Sequence, residues 1–248
     1  MTSSDLWSRE TAERYDDPSE PVNSEAAIAP VVDVLADLAG DGPALELAIG
    51  TGRIGVPLRA RGVPVSGIEL SAPMADVLRR KADAASIPVV VGDMASATAP
   101  DVGTYALVYL VYNTIGNLRT QEEQVACFAN AARHLAPGGR FVVETGVPGL
   151  RRMPPGQDAI PFDVSESHIG FDTYDLVTQQ ATSHHYTREP DGRFRYDPHH
   201  FRYVWPAELD LMAGLAGLVL ESRWAGWDRS SFTSESTKHV SVWRKPSP

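Results

Sequence analysis

The chain runs to 248 residues, 43% hydrophobic and 22% charged, which is enough apolar material for one sizeable core under an ordinary surface, so a single domain is expected. Its 22 Lys and Arg face 32 Asp and Glu, and a formal charge of −10 repels phosphate backbones, which argues against nucleic acid as a partner. No apolar run is long enough for a bilayer, Met1–Glu20 is polar and acidic, and the single cysteine, Cys127, allows no internal disulfide or cysteine-built zinc cage. The expectation is a cytoplasmic protein without membrane partner or metal site, in which Cys127 is a small apolar helix residue.

In chain order, Ser8–Asp16 reads as a short polar helix, Asp17–Pro21 as a turn, and Ser24 as the cap of a helix to about Leu38. These helices are expected to form a lid or flank. From Pro43 the pattern changes to short apolar runs at Ala44–Ile49, Val63–Leu70, Pro88–Asp93, Tyr105–Tyr112 and Arg140–Thr145. Helical stretches at Ile54–Arg61, Pro73–Ala84 and Gln121–Leu135 separate them, the last stopped by Pro137-Gly138-Gly139. Strand and helix in alternation imply a parallel sheet covered on both faces. Between Gly146 and Pro206 a Pro- and Gly-rich loop gives way to aromatic, β-prone stretches around Pro190-Asp191-Gly192, read as an antiparallel hairpin over the mouth of the sheet. A helix at Ala207–Gly214, strands at Leu218–Trp227 and Lys238–Lys245, and a loose Pro246–Pro248 tail complete the chain.

The segment Ala44–Gly55 reads A-L-E-L-A-I-G-T-G-R-I-G, a strand, a glycine turn and a helix start. Gly50, Gly52 and Gly55 spell G-x-G-x-x-G and Glu69 ends the next strand, so a dinucleotide fold has to be weighed. Two features weigh against it. Glu46 puts a carboxylate inside the first strand, where a dinucleotide domain keeps an apolar residue and where a cation is invited. Asp93-Met94 closes the third strand with a second carboxylate and a flat apolar side chain, suited to a purine's amino group and face.

With these residues the sequence resembles the class I S-adenosylmethionine-dependent methyltransferases over Pro43 to Thr145. The resemblance implies a Rossmann-like α/β fold: a seven-stranded, mostly parallel sheet in the order 3-2-1-4-5-7-6 with the last strand antiparallel. Residues 1–42 would then be an N-terminal lid, 43–145 the cofactor-binding core, 146–205 a β-rich insert and 206–248 the final helix and strands. It implies S-adenosylmethionine as cofactor, with Glu46, Ala48, Gly50 and Gly52 around the methionine part and Ala48 in place of a frequent glycine, a change that adds only a methyl group. It further implies Glu69 on the ribose hydroxyls, Met74 against adenine, and Asp93 and Met94 reading the amino group and ring; Leu70 and Tyr109 complete the set. Because Glu69 ends a loop-facing strand, its loss should weaken cofactor binding far more than folding.

The block Tyr109–Leu118, Y-L-V-Y-N-T-I-G-N-L, is similar to the F-S-S-I-G-H-L stretch of bacterial amino-sugar N-methyltransferases, with Asn113 at the first Ser and Asn117 at the His. Both asparagines suit a polar acceptor and equally suit a turn beside Gly116. Tyr15 matches an N-terminal tyrosine that closes over the sulfonium in related enzymes, and packing of the first helix is its other reading. Five histidines, His168, His184, His185, His199 and His200, fall in the insert, and adjacent ones on a strand point to opposite faces, so each pair should offer one ring to a pocket. His185 is the candidate general base, with Tyr15, Asn113 and Asn117 the other catalytic candidates. Tyr186, Phe194, Tyr196, Phe201, Tyr203 and Trp205 are divided between pocket wall and sheet packing in a way that the sequence leaves open.

The leading expectation is methyl transfer to an N or O nucleophile of a small molecule, with a homodimer as a possible assembly. A nicotinamide-dependent oxidoreductase rests on the literal glycine pattern alone, and the chain offers no separate catalytic domain for it. A non-catalytic scaffold, or a reaction that cleaves the methionine chain, would bind the cofactor without yielding S-adenosylhomocysteine.

Overall fold

A computed structural model describes residues 7–18, 20–81 and 87–247. The expected helix end at 82–84, the start of the lid and Pro248 lie outside the described residues. Seven strands make the main sheet: β1 (Ala44–Leu47), β2 (Val65–Glu69), β3 (Val89–Val91), β4 (Tyr105–Leu110), β5 (Leu135–Gly146), β10 (Val219–Trp224) and β11 (Lys238–Arg244). Their order is β10-β11-β5-β4-β1-β2-β3, with β11 antiparallel to both its neighbours and the others parallel, which is the expected topology. The central strand β1 is buried at every position, as a parallel strand covered on two faces must be.

The helices are α1 (Arg9–Arg14), α2 (Glu25–Ala39), α3 (Gly55–Ala60), α4 (Ala72–Arg80), α5 (Gln121–His134) and α6 (Pro206–Leu215). Their ends follow local chemistry: Ser24 Oγ accepts from Ala27 N at the start of α2, and Thr120 with Glu123 forms a reciprocal capping box on α5. On one face of the sheet α5 and α6 cover a core that includes Phe128, Phe141 and Trp243, whose rings meet edge to face or tilted. On the other face α2 contributes Val31, Val32, Val34 and Leu35 as a structural layer, while Trp7 and Tyr15, from the segment before it, border the cavities at the mouth of the sheet. Cys127 is buried in the core, where burial pushes its thiol up to about 12, outside the range of a nucleophile. Among the described residues no helix is long and apolar enough to cross a membrane.

The insert is a second sheet rather than a hairpin alone. Strands β6 (Ala159–Val164), β7 (His168–Tyr174), β8 (Gln180–Arg188) and β9 (Phe194–Arg202) pair antiparallel in sequence order. The β8–β9 hairpin turns at the expected Pro190-Asp191-Gly192, while β6, with prolines and glycines on its flanks, carries no alternation that would have marked it. Arg202 fastens this sheet to the body. Its guanidinium donates to Glu208 Oε1 (2.7 Å), Gln179 Oε1 (2.7 Å) and Gln124 Oε1 (2.6 Å), and pairing is what makes a charge at 4% exposure tolerable.

Candidate active site

Two cavities open at the carboxyl ends of the parallel strands, where a doubly wound sheet places its ligands. The first, about 620 Å³, is bordered by the glycine turn, the ends of β2 and β3, α4 and the residues before α5. The second, about 520 Å³, lies between the short turn Thr114–Asn117 and the inner face of the four-stranded sheet. Trp7, Tyr15, Thr114 and Asn117 border both, so the cavities meet there.

Backbone donors hold the first cavity's acidic group. Glu69 Oε2 accepts from Gly50 N (2.8 Å) and Oε1 from Ser71 N (2.7 Å), so one carboxylate ties the glycine turn to the end of β2. Burial raises its pKa against those hydrogen bonds. Asp93 Oδ1 accepts from Ala95 N (2.8 Å). Ala48, Gly50, Leu70, Met74, Asp93 and Met94 line the same cavity with Glu69, which brings most of the expected cofactor set together. Two acceptor carboxylates, a backbone turn free of bulk and two methionine side chains fit an adenosyl group with hydroxyls and an exocyclic amine.

Three expected residues stand apart. Glu46 lies beneath the turn at 3% exposure and does not border the cavity. The register sets it opposite Tyr109 on β4, whose hydroxyl donates to Glu46 Oε2 at 2.9 Å. Gly55 lies on the other side, where a Cβ would come within 2.7 Å of that oxygen. Burial pushes the Glu46 carboxyl up to about 8, so an acid in this place keeps its proton near neutrality instead of inviting a cation. Tyr109 is fully buried as its partner. Gly52 also misses the cavity: its φ is +82° and a Cβ would strike Leu78 at 2.3 Å, so it serves turn geometry and packing. Ala48 lines the cavity with φ +53°, so its replacement of a glycine strains the backbone as well as adding a methyl group.

The segment carrying Tyr15 is fastened at both ends. Asp16 accepts from Thr51 Oγ1 (2.6 Å) and pairs with Lys81 (2.9 Å), which also donates to Thr51 O (2.5 Å), while Ser71 Oγ donates to Trp7 O (2.9 Å). Tyr15, packed edge to face on Trp7, is thereby held where the cavities meet, and burial raises its pKa so that the phenol keeps its proton. The sequence gives no sign of this latch, because Asp16, Thr51 and Lys81 lie on three separate elements.

The asparagines divide. Asn113 sits in the left-handed region (φ +60°), and its Oδ1 accepts from Gly146 N (2.6 Å) and Thr145 Oγ1 (3.3 Å), which pins the end of β5. Asn117 borders both cavities, and its side chain makes no hydrogen bond to another described residue.

The second cavity takes one face of the inserted sheet: Asp172, Tyr174, Ser183, His185, His199, Phe201 and Tyr203. His184 behaves as alternation predicts. It turns away, hydrogen bonding Thr173 and Tyr196 and stacking on Phe171, and Tyr186 and Tyr196 stack with that outer group. The second pair departs from the expectation, since both His199 and His200 border the cavity, His200 with its Nδ1 against Thr182 Oγ1 at 2.9 Å. Phe201 and Tyr203 are cavity wall; Phe194, Tyr196 and Trp205 are not. Asp172, which accepts from Tyr174 Oη, is the one carboxylate bordering this cavity among the described residues. Composition could not single it out from the chain's other acids.

Comparison with known proteins agrees with this architecture. The sequence profile of a methyltransferase domain matches residues 44–139. The cypemycin N-terminal methyltransferase of a Streptomyces species is 25% identical over 98% of both chains, and a dTDP-4-amino-2,3,4,6-tetradeoxy-D-glucose N,N-dimethyltransferase of Saccharopolyspora spinosa is 33% identical over 40% of this chain and 39% of its own. The solved CcbJ methyltransferase of Streptomyces caelestis superposes with a TM-score of 0.85 at 33% identity, covering 100% of this chain and 99% of that one. A methyltransferase this similar along its entire length, inserted sheet included, makes the chain a member of the S-adenosylmethionine-dependent methyltransferases.

Proposed function

We propose that this methyltransferase acts on an amino group of a small polar molecule, an amino sugar or a peptide amine, held beneath the inserted sheet. The observation that carries the reading is the second cavity's polar lining. It sets one carboxylate, Asp172, and a cluster of imidazoles around a space whose one guanidinium among the described residues, that of Arg202, is committed to Glu208, Gln124 and Gln179. An ammonium group is attracted there, and a phosphate or carboxylate is not. Relatives named for N-methylation of an amino sugar and of a peptide terminus support the same choice.

In this reading Glu69 holds the ribose hydroxyls, Asp93 the adenine amino group, and Met74, Met94 and Leu70 the apolar faces, while Ala48 and Gly50 run beneath the methionine part. S-adenosylmethionine, when bound, supplies the methyl group as an electrophile on a sulfonium that nitrogen displaces in line. The protein's own contribution is orientation, worth about 7–11 kcal/mol when both partners are fixed in contact geometry. Tyr15 and Trp7 close the junction against water. Asn117, whose amide makes no hydrogen bond to another described residue, orients the acceptor, and His185 receives the proton that an ammonium must lose before it has a lone pair to attack with.

The test is incubation with S-adenosylmethionine and a matched panel of amines and their hydroxyl counterparts, dTDP-amino sugars and short peptides included, followed by mass spectrometry. Addition of one or two methyl groups to amines with stoichiometric S-adenosylhomocysteine is expected. Methylation confined to the hydroxyl counterparts would overturn the choice of nucleophile.

A further inference from the structure

The imidazole of His185 is one link in a hydrogen-bonded chain that leaves the cavity. Ser183 Oγ lies 3.1 Å from His185 Nε2, His185 Nδ1 lies 3.0 Å from His168 Nε2, and His168 Nδ1 lies 2.6 Å from Asp163 Oδ2. These four residues come from β8, β7 and the edge strand β6. Ser183 and His185 border the acceptor cavity, while the Asp163 side chain is 45% exposed at the far end.

The bonds share one sense. A carboxylate at Asp163 only accepts, so His168 carries its proton on Nδ1 and presents a bare Nε2. His185 must then donate through Nδ1, which leaves its Nε2 to accept from the Ser183 hydroxyl. Every donor points away from the cavity and toward Asp163. Room for the chain is made by Gly170, which the register sets between Asp163 and His185. Its backbone needs no left-handed conformation, yet a Cβ there would come within 2.2 Å of the Phe162 ring and 2.9 Å of His168. The glycine lets Phe162 lie beside both imidazoles, with ring centroids 6.3 and 5.3 Å away.

We propose that Ser183, His185, His168 and Asp163 form a proton relay that carries the acceptor's proton from the cavity to solvent, an inference that rests on the amine reading above. The acceptor ammonium gives a proton to Ser183 Oγ as the hydroxyl proton passes to His185 Nε2. The Nδ1 proton of His185 moves to His168 Nε2, and that of His168 moves to Asp163, which releases it to water. Each centre gains one proton and loses one, and the amine is left with a free lone pair. Loss of the Nε2 proton and uptake of one at Nδ1, by exchange with water, restore the starting tautomers between turnovers. His185 is faced by His168 and Asp172 from β7, by His199 and Asp197 from β9, and through His168 by Asp163 from β6. Burial, then His199 and His168, lowers its pKa, so it is neutral and ready to accept at about pH 7.

Two measurements test the relay, and the first needs no acceptor. Long-range proton–nitrogen correlation spectra of histidine-labelled protein, with S-adenosylhomocysteine added, report which ring nitrogen carries each proton; both His168 and His185 are expected as the Nδ1–H form at about pH 8. Either ring as the Nε2–H form overturns the relay while leaving the amine reading standing. The second is the pH profile of turnover for His168→Gln, which keeps polar contact and cannot pass a proton. With an amine from the panel, kcat is expected about 100-fold below the parent near pH 7, rising toward parity as the free amine accumulates at higher pH. A deficit equal at every pH, or none, overturns the relay; if no amine in the panel is methylated the amine reading fails, and the tautomers still decide the hydrogen-bonded chain.

Discussion

Glu69 and His185 are both polar groups at the edge of a cavity, yet they are held by opposite means. Glu69 is gripped by main-chain donors at Gly50 and Ser71, one within two residues and the other on the neighbouring strand's turn. His185 is held by side chains alone, from Ser183 and from His168 on the next strand. Backbone donors persist through any substitution except proline, so the cofactor side is built into the fold itself. The acceptor side is a set of side-chain contacts across an antiparallel sheet, and each can be exchanged without disturbing the ladder beneath it. A methyltransferase organised this way can change its acceptor while its cofactor cavity stays fixed.

The largest effect expected from breaking that contrast comes from Glu46, the acid sealed beneath the glycine turn. In the unfolded chain its carboxyl titrates near 4.5, and in the folded chain near 8. Between those values the folded state holds a proton that the unfolded state has lost, so stability falls as pH rises through this window, by up to ~5 kcal/mol once pH passes 8. Glu46→Gln cannot ionise and still offers a carbonyl to the Tyr109 hydroxyl. Urea midpoints of the two proteins, measured without cofactor, should therefore diverge in favour of the variant as pH rises from about 4.5 to 8. A difference that does not vary with pH would mean that Glu46 is already ionised in the fold.

Next comes Glu69→Gln. One of its two oxygens becomes an amide nitrogen that faces a main-chain donor, and the charge that suits ribose hydroxyls is removed. Calorimetric titration with S-adenosylhomocysteine should show the dissociation constant rising about 100-fold, the value of one or two charge-assisted bonds. The structure amends the expectation that folding would hardly notice. Because Glu69 ties the turn to β2, the urea midpoint should fall as well, by about 1–3 kcal/mol. Unchanged cofactor affinity would separate Glu69 from the cofactor altogether.

A smaller pair of effects distinguishes the two asparagines that the sequence could not separate. Asn113→Ala removes the acceptor at the end of β5 and puts alanine at φ +60°, so it should cost about 1–2 kcal/mol of stability. Asn117→Ala should leave the denaturation midpoint within ~0.5 kcal/mol and lower turnover with cofactor affinity intact. Equal loss of stability in both variants would contradict their different placements.

That pair also marks how far the sequence can be read. The strands themselves, the glycine turn and the acids that end β2 and β3 were legible because each is local, an apolar run, a turn signal and a carboxylate at a strand end, whereas the strand order came only with the family resemblance. Where a side chain's partner is distant, the pattern ran out. Glu46 looks like a cation site until the β1–β4 register sets it against Tyr109. Asp172 is one acid among many until pairing puts it on the face of Ser183 and His199. The alternation of the insert was readable, but which face met a cavity was not, and the edge strand β6 with Asp163 escaped notice because a short strand broken by proline and a bulge shows no period.

The smallest expected effect concerns Ala48, where the two kinds of construction meet in a single residue. Its side chain is only a methyl group on the cofactor cavity's wall, but its φ of +53° lies where an L-residue with a Cβ is strained by about 1–2 kcal/mol. Ala48→Gly relieves that strain and loses part of the gain to the greater freedom of the unfolded chain, leaving about 0.5–1 kcal/mol of net stabilisation and a Tm higher by a few degrees. If the turn is fixed by its main chain, cofactor affinity should barely move, since Gly50 N still donates to Glu69. A stabilised variant that bound the cofactor tenfold more weakly would show instead that the strained alanine, through its methyl group or its rigidity, shapes the cavity.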